Sequence, residues 1–282
     1  MGSYSRKQTP NIVRLSRSEI IPLEIWDCIT PLGILWDSMY LKNFTDILNR
    51  VIINIHRGRA KTRSNIGIDS CSQGFDAVFV AGGGSDNSLI QMGLRRLPFP
   101  VIFSSDPVFS GSNGGKVILK RQYFNNIIID VGQSQIKISM NDENKIYKRN
   151  FSELPISIDS DSKVIANKIT LFENYLITSI NDFLELRPSP NTVVFALPCS
   201  ISLNGTLGSC SFSGIENNNT VIENIVKKST LNCAQVLLLN DAELSSYEAL
   251  DDSRLQKFNK ILVITIGFGV GATIINRSKN TK

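Results

Sequence analysis

Histidine occurs once in the 282 residues, as His56, and tryptophan only twice. The five cysteines (Cys28, Cys71, Cys199, Cys210 and Cys233) form no C-x-x-C pair. With a single histidine, no zinc-ligand set can be assembled at the usual spacing. Most of these cysteines have apolar or small neighbours, which predicts reduced thiols in or just beneath a core. No apolar run reaches membrane-spanning length, and the N-terminal MGSYSRKQTPN lacks the apolar stretch of a signal peptide. The expected location is therefore the cytoplasm, with no membrane partner. Charge of one sign is scarce too: the net charge is +5, with 30 basic residues spread among 25 acids. The densest basic stretch runs His56-Arg57-Gly58-Arg59-Ala60-Lys61-Thr62-Arg63. It reads as a solvated loop or helix end rather than a phosphate patch, and no nucleic-acid partner is expected.

A hydrophobic content of 42% and a charged content of 20% describe an ordinary globular chain, long enough for one large domain or two. Residues 1 to about 20 are polar and basic and predict no regular element. From Pro22 to about Ile55 apolar residues recur at helical spacing, with a break near Pro31-Leu32-Gly33. FDAVFVAGGGSDNSLIQMGLRRL then reads as strand, glycine turn and helix. VIFSSD predicts another strand, and GSNGGKVILK a glycine-rich turn with a short apolar run. From Ile127 the texture changes. IIIDVG, QIKISMND and KIYKRNF predict a three-strand meander with a turn at Asn141-Asp142-Glu143-Asn144. A helix is expected over about Lys163 to Leu184, a buried strand at TVVFALP, a turn at SLNGTL and a helix near Ile222 to Val226. QVLLLND predicts a strand running into a helix from Ala242, and KILVITIGFGVGATIIN a strand, glycine turn and strand.

Four short segments carry candidate chemistry. Asp130-Val131-Gly132-Gln133-Ser134-Gln135-Ile136-Lys137 places a carboxylate at a strand end, followed by a glycine, a hydroxyl and a cation. Such a hairpin can hold a metal through the acid and bring backbone N–H groups to a phosphate, or be an ordinary bend. Thr265-Ile266-Gly267-Phe268-Gly269-Val270-Gly271 clears side chains from one face of a turn, which suits a phosphate chain or merely softens a tight turn. Ala81-Gly82-Gly83-Gly84-Ser85-Asp86-Asn87 opens a helix whose N-terminal dipole suits a nucleotide, or is a strand-to-helix turn capped by Ser85 or Asp86. Leu239-Asn240-Asp241-Ala242-Glu243 ends a buried strand in a carboxylate, a place for a general base or for a helix cap.

Taken together, these segments resemble the sugar-kinase branch of the superfamily that joins acetate kinase, sugar kinases, heat-shock chaperones and actin. In particular, LLLNDAELSSYEAL is similar to the ROK-type sugar kinases. The resemblance implies a two-lobed α/β, actin-like ATPase (ribonuclease H-like) fold of mixed five-stranded sheets with helices. The family's order of D-x-G-x-T, N-D-A, G-x-G-x-G and G-G-G is found here starting from G-G-G, which implies a circular permutation. Residues 1–122 would be the later part of the second, adenosine-binding lobe. Residues 123–240 would be the first, phosphate and acceptor lobe, and 241–282 the return to the second lobe with its phosphate hairpin.

By the same resemblance the cofactors would be ATP and Mg²⁺, with the nucleotide in the cleft. Asp241 would be the catalytic base and Asn240 a substrate contact. Asp130 would organise the magnesium directly or through water. Gly132, Ser134, Lys137, Thr265, Gly267 and Gly269 would surround the phosphates, with Gly82, Gly83 and Gly84 against the nucleoside. The partner implied is a small-molecule acceptor, a sugar or polyol, and a homodimer is compatible with it. Gln133 and Ser134 stand where the family has glycine and threonine, and Phe268 where it has threonine. The Glu-x-Gly-His sugar contact and the zinc loop of ROK kinases are absent. Two other readings stay open: a nucleotide-binding or regulatory protein without the chemistry, and an actin-like ATPase.

Overall fold

The strongest signals in the sequence are short runs of β-branched and aromatic residues, and these become buried strands. A computed structural model describes residues 10–23, 38–58, 74–119, 125–150, 162–210, 212, 215, 220–267 and 269–277. The first elements are β1 (Asn11–Arg14), β2 (Ile20–Leu23), α1 (Ser38–His56), β3 (Ala77–Ala81), α2 (Ser88–Leu94), β4 (Val101–Phe103) and α3 (Ser110–Leu119). Then come β5 (Asn126–Val131), β6 (Gln135–Met140), β7 (Glu143–Lys148), α4 (Ser162–Leu184), β8 (Thr192–Leu197), β9 (Cys199–Ile201) and β10 (Leu207–Cys210). The chain continues through α5 (Thr220–Lys228), β11 (Gln235–Asn240), α6 (Asp241–Asp251), β12 (Lys260–Ile266) and β13 (Val270–Asn276).

The protein is α/β with mixed sheets, and its chain divides into two compact units. One unit comprises Met1–Ser16 with Leu119–Asn240, the other Arg17–Ile118 with Asp241–Lys282. In the first, the described strands form a six-stranded sheet in the order β1-β11-β8-β5-β6-β7, beside a small β9–β10 pair. The meander β5-β6-β7 is antiparallel, whereas β8, β11 and β1 continue parallel to β5. In the second, a five-stranded sheet has the order β2-β13-β12-β3-β4. Here β12, β13 and β2 are the antiparallel meander, with β3 and β4 parallel to β12. Both units thus follow one plan: an antiparallel meander whose first strand is central, then parallel strands laid on the other side of it. In the second unit the plan starts at β12, near the chain end, and is completed by β2 to β4.

Parallel strands are covered on both faces and read as continuous apolar runs. In β3, Val78 and Val80 pack with α1 and α2 residues Leu48, Ile52, Ile90 and Leu94. Ala77, Phe79 and Ala81 face the opposite layer with Ala249, Leu255 and Val263, as the two-residue period of a strand requires. In the first unit Ile127, Ile129 and Val131 of β5 join Phe172, Leu176, Ile180 and Phe183 of α4 in one core.

Three sequence expectations are corrected. Pro22 does not open a helix; it lies in β2, an edge strand, where a missing N–H is tolerated. The first described residues are not without regular structure either, because Asn11–Arg14 pair in parallel with Gln235–Leu238. This gives the first unit's main sheet six described strands rather than five and joins the N-terminal segment to that unit rather than to residues 17–118. Residues 110–119 form helix α3, not a glycine turn. The reason is close packing: a Cβ on Gly114 would overlap the Leu244 carbonyl oxygen of α6. A glycine that costs helix propensity is kept because only it lets the two backbones approach. Of the basic stretch, His56 packs its ring against Phe75 and Phe99 at 4.9 and 4.4 Å, and residues 59–63 lie outside the described residues.

Gly114→Ala is expected to lower the unfolding free energy by about 1–3 kcal/mol through overpacking. Gly269→Ala, where an added Cβ meets nothing within 4 Å, should stay within about 0.5 kcal/mol of the parent. Urea titration of both variants checks this, and equal midpoints would contradict the helix contact.

Candidate functional site

Because β5, β8 and β11 run parallel, they bring their carboxyl ends to one edge of the first unit, with Asp130 beside Ala196 and Asn240 beside Leu197. The β5–β6 turn is closed by the Gly132 N–H donating to the Gln135 carbonyl at 2.9 Å. That register sets Asp130 opposite Lys137, whose Nζ lies 3.2 Å from Asp130 Oδ2. Both side chains are largely buried, Asp130 being 6% exposed. Lys137 therefore serves first as the counter-ion of Asp130, and its sequence-assigned phosphate contact has a competitor. The Ser134 carbonyl accepts the Arg149 N–H, and the Arg149 guanidinium donates to the Gln133 carbonyl at 2.9 Å and lies over the Phe212 ring. Burial lowers the pKa of that guanidinium. Sequence reading passed over Arg149, and only the meander register reveals it at this turn.

Asn240, the last residue of β11, donates its amide to the Cys199 carbonyl at 2.9 Å and to the Leu197 carbonyl at 3.4 Å. It thereby fastens the start of β9 to the strand end. Cys199 and Cys210 pair across β9 and β10 and are joined in a disulfide. This corrects the expectation of reduced thiols for these two residues. The hairpin folds back through the Ser202–Thr206 turn and brings their Cα atoms within 3.9 Å. Two cysteines flanking a polar turn with Asn204-Gly205 were the available signal. Cys233 is a buried free thiol, and Cys28 and Cys71 lie outside the described residues. Among the described residues, no helix is long and apolar enough to cross a membrane.

The second unit gathers the other candidates at the carboxyl ends of β12 and β3. Thr265 pairs with Gly271 on one side and Ala81 on the other. Gly82 follows with φ +84°, and a Cβ there would lie 2.5 Å from the Ile266 carbonyl oxygen; one on Gly84 would meet the Ile266 side chain at 2.8 Å. The triple glycine is thus packed onto the β12 end, a close approach that side chains would prevent. The expected helix dipole does not follow directly from this turn. Gly83–Asp86 form a 3-10 turn, and the seven-residue α2 starts only at Ser88, capped by Asn87 rather than by Ser85 or Asp86. Ser85 instead turns its hydroxyl back to the Gly82 carbonyl at 2.7 Å. At the β12–β13 hairpin the Gly267 N–H donates to the Gly269 carbonyl, and an added Cβ on either glycine would meet nothing within 4 Å. No described residue beyond their chain neighbours crowds those two positions. Phe268 lies outside the described residues.

Asp241 is the first residue of α6, half-buried, with one carboxylate oxygen accepting the Ala242 N–H at 2.9 Å. Gly271, not singled out from sequence as a site residue, is what admits it. A Cβ there would lie 2.6 Å from Thr265 Oγ1, 3.0 Å from Ala242 Cβ and 3.7 Å from Asp241 Oδ1. The start of α6 is therefore seated on the hairpin that carries Thr265. Further along, Ser246 is hydrogen-bonded to Thr273 of β13. Glu248 accepts from Ser104 at 2.9 Å, Asn113 at 3.2 Å and Ser110. Burial pushes the Glu248 carboxyl above its ordinary range, against the pull of those three donors.

The candidates thus form two groups. Asp130, Gly132, Ser134, Lys137 and Asn240 lie at one edge of the first unit, and Asp241, Thr265, Gly267, Gly269 and Gly82–Gly84 at one edge of the second. Among the described residues there is no cluster of three His, Cys, Asp or Glu side chains suited to a metal ion. No protein-family model matches the chain, and no curated protein does.

Reducing the Cys199–Cys210 bond, or replacing both residues by serine, is expected to cost about 3 kcal/mol of stability for a loop of this length. Denaturant titration with and without dithiol reductant, alongside thiol counting by alkylation and mass, tests this. Two additional thiols released with no change in midpoint would contradict a stapling role.

Proposed function

We propose that the protein is an ATP-dependent phosphotransferase acting on a hydroxyl of a sugar or sugar-like small molecule. The observation that carries this reading is the repeated plan. In each unit the glycine hairpin that sequence assigns to phosphate joins the first and second strands of the meander, at the carboxyl end of the central strand. Ligands of open α/β sheets gather at that edge. One plan repeated, with the second copy beginning near the chain end, supports a circularly permuted actin-like ATPase fold built from two ribonuclease H-like units. The contact of Gly271 with Asp241 and Thr265 supports a common task for the acid and the second hairpin.

In this reading Asp241 accepts the proton of the acceptor hydroxyl as that oxygen attacks the γ-phosphorus, and Asn240 orients the acceptor. The backbone N–H groups of a glycine hairpin can stabilise phosphate charge without reorganising. Gly82–Gly84 lie against the nucleoside, where the absence of side chains lets the ligand approach the backbone. Magnesium keeps several waters and takes other ligands from phosphates, so the single buried carboxylate of Asp130 fits as its protein contact, direct or through water. When bound, the ion neutralises phosphate charge. Lys137 balances Asp130 beside it.

A second reading, a nucleotide-binding regulatory protein without turnover, is favoured by how occupied these groups are. Lys137 is tied to Asp130, the Asn240 amide to two carbonyls, and an Asp241 oxygen to its own helix. ADP release from Mg-ATP, measured across hexoses, amino sugars, polyols and aminocyclitols, separates the two. Acceptor-dependent release that Asp241→Asn lowers by roughly 10²–10⁴-fold is the expected result. ATP binding with no acceptor-dependent release, unchanged by Asp241→Asn, would favour the regulatory reading. Absence of ATP binding would remove both.

A further inference from the structure

Glu248 stands seven positions after Asp241 on α6, about 10 Å along the axis and close to the same helix face. Its carboxylate collects three donors from one neighbouring stretch of chain. Ser104 directly follows β4, Ser110 opens α3, and Asn113 lies in the first turns of α3. Between them runs the Ser104–Phe109 loop, folded on itself by the Asp106 N–H to Ser104 Oγ and the Phe109 N–H to Asp106 Oδ1. This loop passes the triple-glycine turn, for a Cβ on Gly83 would lie 3.8 Å from a Val108 methyl. One turn of α6 before Glu248, the Leu244 carbonyl lies against Gly114 of α3. The carboxyl is half-buried, with Asp252 and Arg254 as the charged groups that influence it. A half-buried carboxylate holding three donors is a costly arrangement to break, because each donor is then left without its acceptor.

We propose that Glu248 is a positioning residue, locking the Ser104–Phe109 loop and α3 to α6. The wall beside the Gly83 turn and the helix that begins with Asp241 then move as one body. The functional part rests on the reading of Gly82–Gly84 as the nucleoside edge and Asp241 as the base. Glu248 touches neither ligand. It acts by setting where Val108 stands beside the glycines and how α6 presents its first residue to Thr265 and Gly271.

The test uses the full chain and compares Glu248→Ala, Glu248→Gln and the milder Ser104→Ala. Fluorescent ADP titration, kcat and acceptor KM, and amide hydrogen exchange are read for each, with thermal melts to establish folding. Glu248→Ala should raise the ADP Kd about ten-fold and lower kcat roughly ten-fold, with acceptor KM little changed. Exchange should quicken over residues 104–109 and the first turn of α6 but not over β8. Glu248→Gln should retain most of the parental values, since serine hydroxyls turn to donate or accept as needed. Ser104→Ala should shift the same quantities in the same direction by less, and it keeps the test valid if Glu248→Ala fails to fold. Folded variants with parental ADP affinity, kcat and exchange would overturn the proposal. Parent protein that binds no nucleotide would instead overturn the underlying functional reading. The exchange experiment needs no ligand, so it then decides the lock by itself: lost protection at 104–109 supports it, and unchanged protection overturns it.

Discussion

Close approach to glycine, at positions where no Cβ fits, is the constraint on which the second unit depends. Helix α6 is held between two such contacts, Gly271 of β13 beneath its first residues and Gly114 of α3 against its Leu244 carbonyl. The helix itself is only weakly amphipathic in composition. It buries Glu243, Ser245 and Ser246 along with Leu244 and Tyr247, so hydrophobic burial alone does not define its orientation. Glycine contacts set its distance, and the Ser246–Thr273 and Glu248 hydrogen bonds set its rotation and register. Buried polar bonds contribute modestly when made and cost much when broken, which suits them to fixing position rather than supplying bulk stability. Asp241 inherits its place from all of these.

The same economy of side chains shapes the two hairpins, yet with different results. In the first unit the turn brings charge together: Asp130 and Lys137 meet because the register of β5 and β6 makes them opposite neighbours. In the second, no described residue beyond the chain neighbours of Gly267 and Gly269 stands near where a Cβ would be. A carboxylate and a cation are held at one strand end, and peptide groups without side chains at the other; in the proposed reading each would serve a phosphorylated ligand. The Cys199–Cys210 bond adds a third device, since the carbonyl of Cys199 is what the Asn240 amide holds. The small β9–β10 pair, too short to be stable as a free hairpin, is thus attached to the strand end that carries Asn240.

Much of the fold was legible because central strands in such sheets are continuous apolar runs. Val193 to Leu197, Val236 to Leu239 and Ile261 to Ile266 are identifiable from composition alone. The β5–β7 meander and α4 followed from alternation and helical period. What sequence hid were elements determined by their neighbours. β1 and β2 are four-residue edge strands whose register comes from β11 and β13. α3 has three glycines and reads as a turn until α6 is placed beside it. At the candidate site, glycine spacing marked the hairpins and the strand-end acids. The engagement of those groups was not legible, because Asn240 meets Leu197 and Cys199 across some forty residues, and Glu248 meets Ser104 from even farther. The Asp130–Lys137 pair was hidden as well, since it follows from the pairing of Val131 with Ile136 across the four residues 132–135.

The central claim is that the glycine edges of the second unit receive a nucleotide. Amide hydrogen exchange of the full chain with and without Mg-ADP tests it most directly. The account predicts slower exchange at residues 82–85 and 265–269 on adding the nucleotide, with α4 and α5 unchanged. Unchanged exchange at both glycine turns under saturating Mg-ADP, or protection confined to elements outside them, would contradict it.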